Sequence, residues 1–269
     1  MRKPALTLAL LIFAAVVTPA SAESAASAER DVPPLLDIEL FFKDPQYSAA
    51  RISPDGEAVA FRSYHAGAMN LWVKGVDEPF DQARPVTAYD RSVSRHYWSR
   101  DGRFLLYTQD RDGDENYAIR AVDPFAEEHA DSDVPPSRLL AGAEGARAIV
   151  YHLPRDAPDI LYVGLNDRDP SLHDVYRVHI AAAERELMVR NEAGIQRWHF
   201  DDGRLRKASR TTGDGSTEIL RVNDEGELGD VVYQCSFEES CSVTRFHPDG
   251  QRIYLSTNAG QRDRIELVL

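Results

Sequence analysis

The sequence has little cysteine, little lysine and few long apolar runs. Two cysteines in 269 residues exclude a disulfide-dense scaffold and a four-cysteine zinc site. They do not form Cys-x-x-Cys, which argues against thiol–disulfide catalysis. Lysine occurs 4 times against 27 arginines, a skew that reads as genome composition rather than function. Positive charge is in deficit overall: 31 Lys and Arg against 44 Asp and Glu give a net charge of −13. A nucleic-acid partner is therefore not expected, because it would need a basic face against its phosphates. What is present is ordinary: a hydrophobic fraction of 43%, too high for wholesale disorder.

The one extended apolar run lies at the start. Arg2 and Lys3 precede Ala5 to Val17, and Thr18-Pro19-Ala20-Ser21-Ala22 then offers an A-x-A cleavage site. This pattern predicts a secretory signal peptide over residues 1–22. The run is short of the ~20 apolar residues that a spanning helix needs, so no membrane association is expected after cleavage. Residues 23–46 read as a small, polar linker followed by a short N-terminal helix. The localisation expected is export, to a periplasm or the medium.

The rest of the chain repeats. Asp-Gly pairs stand at Asp55-Gly56, Asp101-Gly102, Asp202-Gly203 and Asp249-Gly250, with spacings of 46, 101 and 47. The long gap holds a degenerate copy at Asp156, where Leu153-Pro154-Arg155-Asp156 precedes Asp159-Ile160-Leu161-Tyr162. A short apolar or aromatic patch precedes each anchor: Ile52, Trp98, Leu153, Trp198 and Phe246. An alternating run follows, as in Phe104-Leu105-Leu106-Tyr107, although the copy at Arg204-Leu205-Arg206-Lys207-Ala208 is much more polar. Asp-Gly favours a tight turn, because glycine accepts positive φ and aspartate bonds its own backbone. A third strand is expected about 17 residues after each anchor, for example Tyr117-Ala118-Ile119, and a fourth at places such as Pro85-Val86-Thr87. Four short strands per unit of about 48 residues predict an all-β chain, a β-propeller of four-stranded blades. A β-sandwich also has many short strands, but not this four-strand period. The expected blades lie near 47–91, 92–145, 146–194, 195–240 and 241–269, about four complete and a fifth incomplete. The run Ile265 to Leu269 would form an apolar edge.

The motifs are also specific. Ala50-Arg51-Ile52-Ser53-Pro54-Asp55-Gly56 resembles the first-blade opening of the prolyl oligopeptidase (S9) family of serine peptidases. Tyr97 to Tyr107 resembles its second blade, and Asp110-Arg111-Asp112-Gly113-Asp114-Glu115-Asn116 is similar to a turn of the acylaminoacyl-peptidase and dipeptidyl-peptidase-like branches. Leu36 to Phe42 fits the segment that precedes the blades. The resemblance covers about residues 35 to 269 and implies a propeller that caps a peptidase site and filters substrates by size. Family members carry an α/β-hydrolase domain after the propeller, with the serine in G-x-S-x-G. This sequence has no Gly-x-Ser, so the catalytic residues are not carried over. The expectation is a propeller whose peptide substrate is met through a C-terminal hydrolase domain missing from the chain.

Several side chains are candidates for a site. Asp110, Asp112, Asp114 and Glu115 carry oxygen ligands at nearly alternating positions. Gly113 stands fourth rather than sixth and Ala121 occupies the twelfth place, so the cluster fits a structural turn better than a calcium loop. His96, His152, His199 and His247 lie near successive first strands but at staggered offsets from the anchors, which does not favour a metal site. No metal and no cofactor is expected. Arg51, Tyr97, His152, Trp198 and Arg245 each stand four residues before an anchor. They suit either a channel surface that meets a peptide or packing between blades, with arginine stems over aromatic faces. Arg91, Arg95 and Arg100 cluster around the second blade's first strand, where they could meet a substrate carboxylate or carbonyl. Cys235 and Cys241 sit between the fourth and fifth units, and in an exported chain they are expected to pair. The rival reading is a self-contained periplasmic TolB-like propeller that binds a protein or glycan.

Overall fold

The computed structural model describes residues 35–43, 45–129, 131–260 and 265–269. The expected leader and most of the linker, residues 1–34, lie outside the described residues. The chain divides into two units, 1–44 and 45–269. In the first, a one-turn helix α1 spans Glu39–Phe42, and the Asp37 carboxylate accepts the Glu39 amide. No helix among the described residues is long and apolar enough to cross a membrane.

The second unit is a series of antiparallel sheets whose strands pair in chain order. The first contains β1 (Tyr47–Ile52), β2 (Ala58–His65), β3 (Ala68–Gly75) and β4 (Arg84–Pro85). The second contains β5 (Arg95–Trp98), β6 (Leu105–Gln109), β7 (Ala118–Val122) and β8 (Ser137–Ala141). The third contains β9 (Ala148–His152), β10 (Ile160–Asp169), β11 (Leu172–His179) and β12 (Glu184–Val189). The fourth contains β13 (Arg197–Asp201), β14 (Arg204–Thr211), β15 (Thr217–Val222) and β16 (Leu228–Cys235). Among the described residues the fifth has three strands, β17 (Cys241–Phe246), β18 (Ile253–Thr257) and β19 (Glu266–Val268). This is the propeller pattern that the repeat predicts.

The blades hold together through both faces of their middle strands. In β6 every residue is buried. Successive side chains of a strand point to opposite faces. Leu105 and Tyr107 accordingly pack with Ala60, Leu71 and Val73 of blade one. Phe104 and Leu106 pack with Leu161, Val163 and Leu165 of blade three. The third core joins Ile160, Tyr162 and Val175 to Trp198, Phe200, Leu205 and Leu220 of blade four. Each core therefore lies between blades, and each fully buried Leu or Phe in it contributes about 1.5–3 kcal/mol.

A polar link crosses each junction near the anchor turns. Trp98 Nε1 donates to the Arg51 carbonyl at 3.1 Å, and Arg100 Nε to the Leu153 carbonyl at 2.9 Å. The Arg155 amide donates to the Asp202 carboxylate, and Arg206 to the Gly250 carbonyl, both at 2.7 Å. Cys235 at the end of blade four and Cys241 at the start of blade five are joined by a disulfide.

The anchor turns are of two kinds. In Ser53-Pro54-Asp55-Gly56 the Gly56 amide donates to the Ser53 carbonyl, and the Ser53 hydroxyl bridges the Asp55 carboxylate and the Ala58 amide. Ser99, Asp101 and Phe104 repeat the device in blade two. In the fourth copy Asp201 pairs directly with Arg204, so Asp202-Gly203 is a two-residue hairpin, with Asp202 at φ 50°. The shorter loop explains why Trp198 stands one residue further from its anchor than Trp98 does. The fourth strand of blade one also differs from expectation, covering Arg84–Pro85 rather than Pro85 to Thr87. The Thr87 hydroxyl accepts the Leu71 amide, and this side-chain bond replaces the ladder there. In blade two the third strand begins at Ala118, one residue late, and the Tyr117 carbonyl instead accepts the Ala148 amide of the next blade.

Candidate functional site

The sequence candidates lie on or beside the first strand of each blade, which a propeller turns toward its axis. Most of them pack between neighbours. The Arg51 guanidinium lies 5.3 Å from the Tyr97 ring centroid. The His152 ring stacks parallel to Phe200 of the next blade, with centroids 5.8 Å apart, and lies 3.8 Å from the Asp202 carboxylate. Trp198 is buried in the core between blades three and four. Arg245 covers Tyr254 of its own blade at 4.5 Å. Arg100 is taken up by the Leu153 carbonyl, at the anchor end of β5. Arg51, His152 and Trp198 thus pack against neighbouring blades, whereas Arg245 packs within its own, with flat cations and rings covering aromatic faces.

Arg95 is different. It begins β5, at the end of the blade away from the anchor turn, and its side chain lines a cleft of about 250 Å³ between blades two and three. Ser94, Tyr97, Thr108, Tyr117, Arg147 and the first residues of β9 complete the walls. No carboxylate lines the cleft. The Arg147 guanidinium is held 5.5 Å from the Tyr117 ring centroid. That contact orients the group without using its hydrogen-bond donors. Sequence reasoning singled out Arg95 and missed Arg147. The available signal was its place, directly before an inner strand, as Arg95 is at the start of one.

A larger cleft of about 600 Å³ lies at the acidic turn of blade two. Asp90, Asp110, Asp112, Asp114 and Glu144 line it, with Arg91, Arg111 and Arg120. Here the acidic turn connects β6 to β7. The Asp114 carboxylate accepts the amides of Arg111 and Asn116 and the Asn116 side-chain amide. The Asn116 amide is the main reason that the Asp114 carboxyl lies below the ordinary carboxylate range. Asp110 is paired with Arg91 at 3.4 Å. Asp112 and Glu115 adopt left-handed backbone conformations, with φ 54° and 58°, on either side of Gly113 and Asp114. Among the described residues no group of three His, Cys, Asp or Glu side chains converges as metal ligands.

Burial lowers the pKa of several histidines in these blades. Burial pushes His96 down to about 4, helped by the charges of Arg51 and Arg62. Burial, then Arg197 and Lys207, does the same to His199, also about 4. His173 is lowered by burial and next by Arg147.

No family model matches the chain. Over 97% of its length the chain is 30% identical to dipeptidyl aminopeptidase BIII of Pseudoxanthomonas mexicana. Over 74% it is 26% identical to dipeptidyl peptidase family member 6 of Caenorhabditis elegans. Prolyl oligopeptidase B from Galerina marginata, solved without ligand, superposes on 87% of this chain with a TM-score of 0.55 at 11% identity, a likeness of fold. The chain carries a propeller of the prolyl oligopeptidase (S9) family. It spans 38% and 25% of the lengths of the two curated relatives, and 37% of the solved enzyme. In this S9-type propeller the motifs that carried the resemblance form the inner strand of blade one, the first hairpin of blade two and the acidic turn. The two clefts lie beside that turn.

Proposed function

We propose that this chain is the gating and substrate-positioning propeller of an exported S9-type serine peptidase that acts on short peptides. The observation that carries the reading is identity of 30% along 97% of the chain to a dipeptidyl aminopeptidase. The clefts support it. At about 250 and 600 Å³ they take a few residues of extended chain, not a folded domain. Chemistry is not assigned to this chain, because its sequence has no Gly-x-Ser and so no nucleophile elbow. Its part is exclusion of large substrates and orientation of small ones, which lowers the entropic barrier for whichever hydrolase domain acts on them. The leader-like residues 1–22 are the ground for export.

The isolated chain should bind peptides of three to six residues, and a folded protein ending in the same residues should not compete. It should cleave no aminoacyl or dipeptidyl reporter and take no label from a serine-directed fluorophosphonate. Turnover accompanied by labelling would overturn the assignment, as would equal competition by the folded protein. Expressed from its own start codon in a Gram-negative host, the chain should be recovered outside the cytoplasm with Glu23 as its first residue. Recovery in the cytoplasm with Met1 intact would overturn the export part.

A further inference from the structure

Three blades in succession place an arginine at the same end of the inner strand. Arg95 begins β5, Arg147 directly precedes β9 and Arg197 begins β13. All three are exposed. None makes an ion pair with a carboxylate among the described residues, and none of the three guanidinium groups donates a hydrogen bond there. Most described arginines likewise lack an acidic partner, so what distinguishes these three is their shared place at the first strands of successive blades. Arginines such as Arg91, Arg168, Arg185, Arg210 and Arg252 do have acidic partners. At this place on three successive blades positive charge is left without an acidic partner among the described residues.

Two of the three line the same open cleft. Arg95 and Arg147 line the 250 Å³ cleft with Ser94, Thr108, Tyr97 and Tyr117. Guanidinium groups offer flat, paired donors that match a carboxylate, and the hydroxyls add further donors. The Tyr117 ring under Arg147 limits the side chain's freedom before anything binds. Ile149 and Val150 give the cleft an apolar wall that suits a short side chain.

We propose that this cleft binds a peptide carboxylate, with Arg95 and Arg147 as the paired donors and Arg197 supplying attraction from the next blade. The inference rests on the peptide-positioning reading above and adds the group that is held. The carboxylate has two sources, a free C-terminus or an acidic side chain, and the cleft chemistry is the same for both.

The test uses the full chain and calorimetry with three probes: Ala-Ala-Ala as the free acid, its C-terminal amide, and Ala-Asp-Ala amide. The free acid should bind about tenfold or more tightly than the simple amide, and the advantage should shrink as salt is raised. If Ala-Asp-Ala amide matches the free acid, an acidic side chain serves as well as the terminus. If it matches the simple amide, the site reads the terminus. Arg147→Gln and Arg95→Gln should each remove most of the discrimination. Arg147→Lys should restore part of it, with the far-ultraviolet spectrum and melting point checking that each variant is folded. Equal binding of acid and amide, unaffected by either substitution, would overturn this inference and leave peptide binding standing. Binding of no peptide at all would overturn both.

Discussion

Asp174 on β11 is the buried charge most worth perturbing. Its carboxylate is 2% exposed and accepts three hydrogen bonds. Two come from Arg168, at 2.7 and 2.8 Å, and one from the Asn191 amide at 2.7 Å. Asn191 in turn exchanges two bonds with Ile195, whose side chain lies in the core between blades three and four. Asp174→Asn keeps the shape, removes the charge and turns one acceptor into a donor facing donors. Hydrogen bonds to a charged group contribute about 1.5–3 kcal/mol each, and breaking a fully buried ion pair costs about 3–5. The Arg168 side chain is 34% exposed, so it recovers part of its hydration when its partner goes. The expected loss is therefore about 2–4 kcal/mol, or roughly 5–15 °C in Tm for a domain of this size. Asp167→Asn is the matched control. Its pair with Arg185 is 3.4 Å long and more open to water, so it should cost under about 1 kcal/mol. Scanning calorimetry on both variants decides the matter. If Asp174→Asn melts within about 2 °C of Asp167→Asn, the network between blades three and four is not what holds them together. The pH dependence adds a second check. Burial raises the Asp174 pKa, but the bonds from Arg168 and Asn191 outweigh it and leave the carboxyl below its ordinary value. Its contribution is thus present above pH of about 4 and is lost as pH falls through the folded pKa, and the asparagine variant should lack that slope.

Four further outcomes are expected. His96 and His199 are held down to about 4 in the fold, so unfolding takes up protons below about pH 6.5. Stability should be full above that value and fall by up to about 3 kcal/mol per histidine as pH drops toward 4; an unchanged slope in His199→Gln would refute the assignment. Reduction of Cys235–Cys241, which are six positions apart, should cost roughly 2 kcal/mol by loop entropy, read as a lower urea midpoint. A midpoint unmoved by reductant would show that the staple does not matter. Calcium should leave Tm unchanged, because the acidic turn is held by its own amides; a rise that Asp112→Asn abolishes would make it an ion site. Ser99→Ala should cost about 1–2 kcal/mol, because the buried Phe104 amide loses its hydroxyl acceptor and the Asp101 carboxylate loses a donor. No change in the denaturation midpoint would mean that the turn does not need the bridge.

The blade period was legible because its signals are local. An Asp-Gly turn needs only its own residues, and alternation over a few positions declares a strand with one or two buried faces. The disulfide pairing needed only two cysteines at a junction between units. The fourth blade was harder to read, since Arg204 to Ala208 looks too polar for a middle strand. The structure accounts for it: Leu205 and Ala208 fill the core, Lys207 lies 5.8 Å from the Phe246 ring, and Arg206 reaches the Gly250 carbonyl of blade five. Polar side chains there are consumed by contacts that no local pattern encodes.

The candidate site divides along the same line. By itself the sequence determined the repeat, the strands, the turns and the family resemblance, because these follow from residues close together in the chain. It also marked Arg51, Tyr97, His152 and Arg245 by their shared offset, but not what they touch. Only the stacked blades decided that Arg51 covers Tyr97 and His152 lies on Phe200, whereas Arg95 faces open space beside Arg147. Arg95 and Arg147 belong to different blades and have no common place in a local motif. They share a cleft because two sheets bury their apolar faces against each other, and that packing sets the distance between the strand ends that carry the charges.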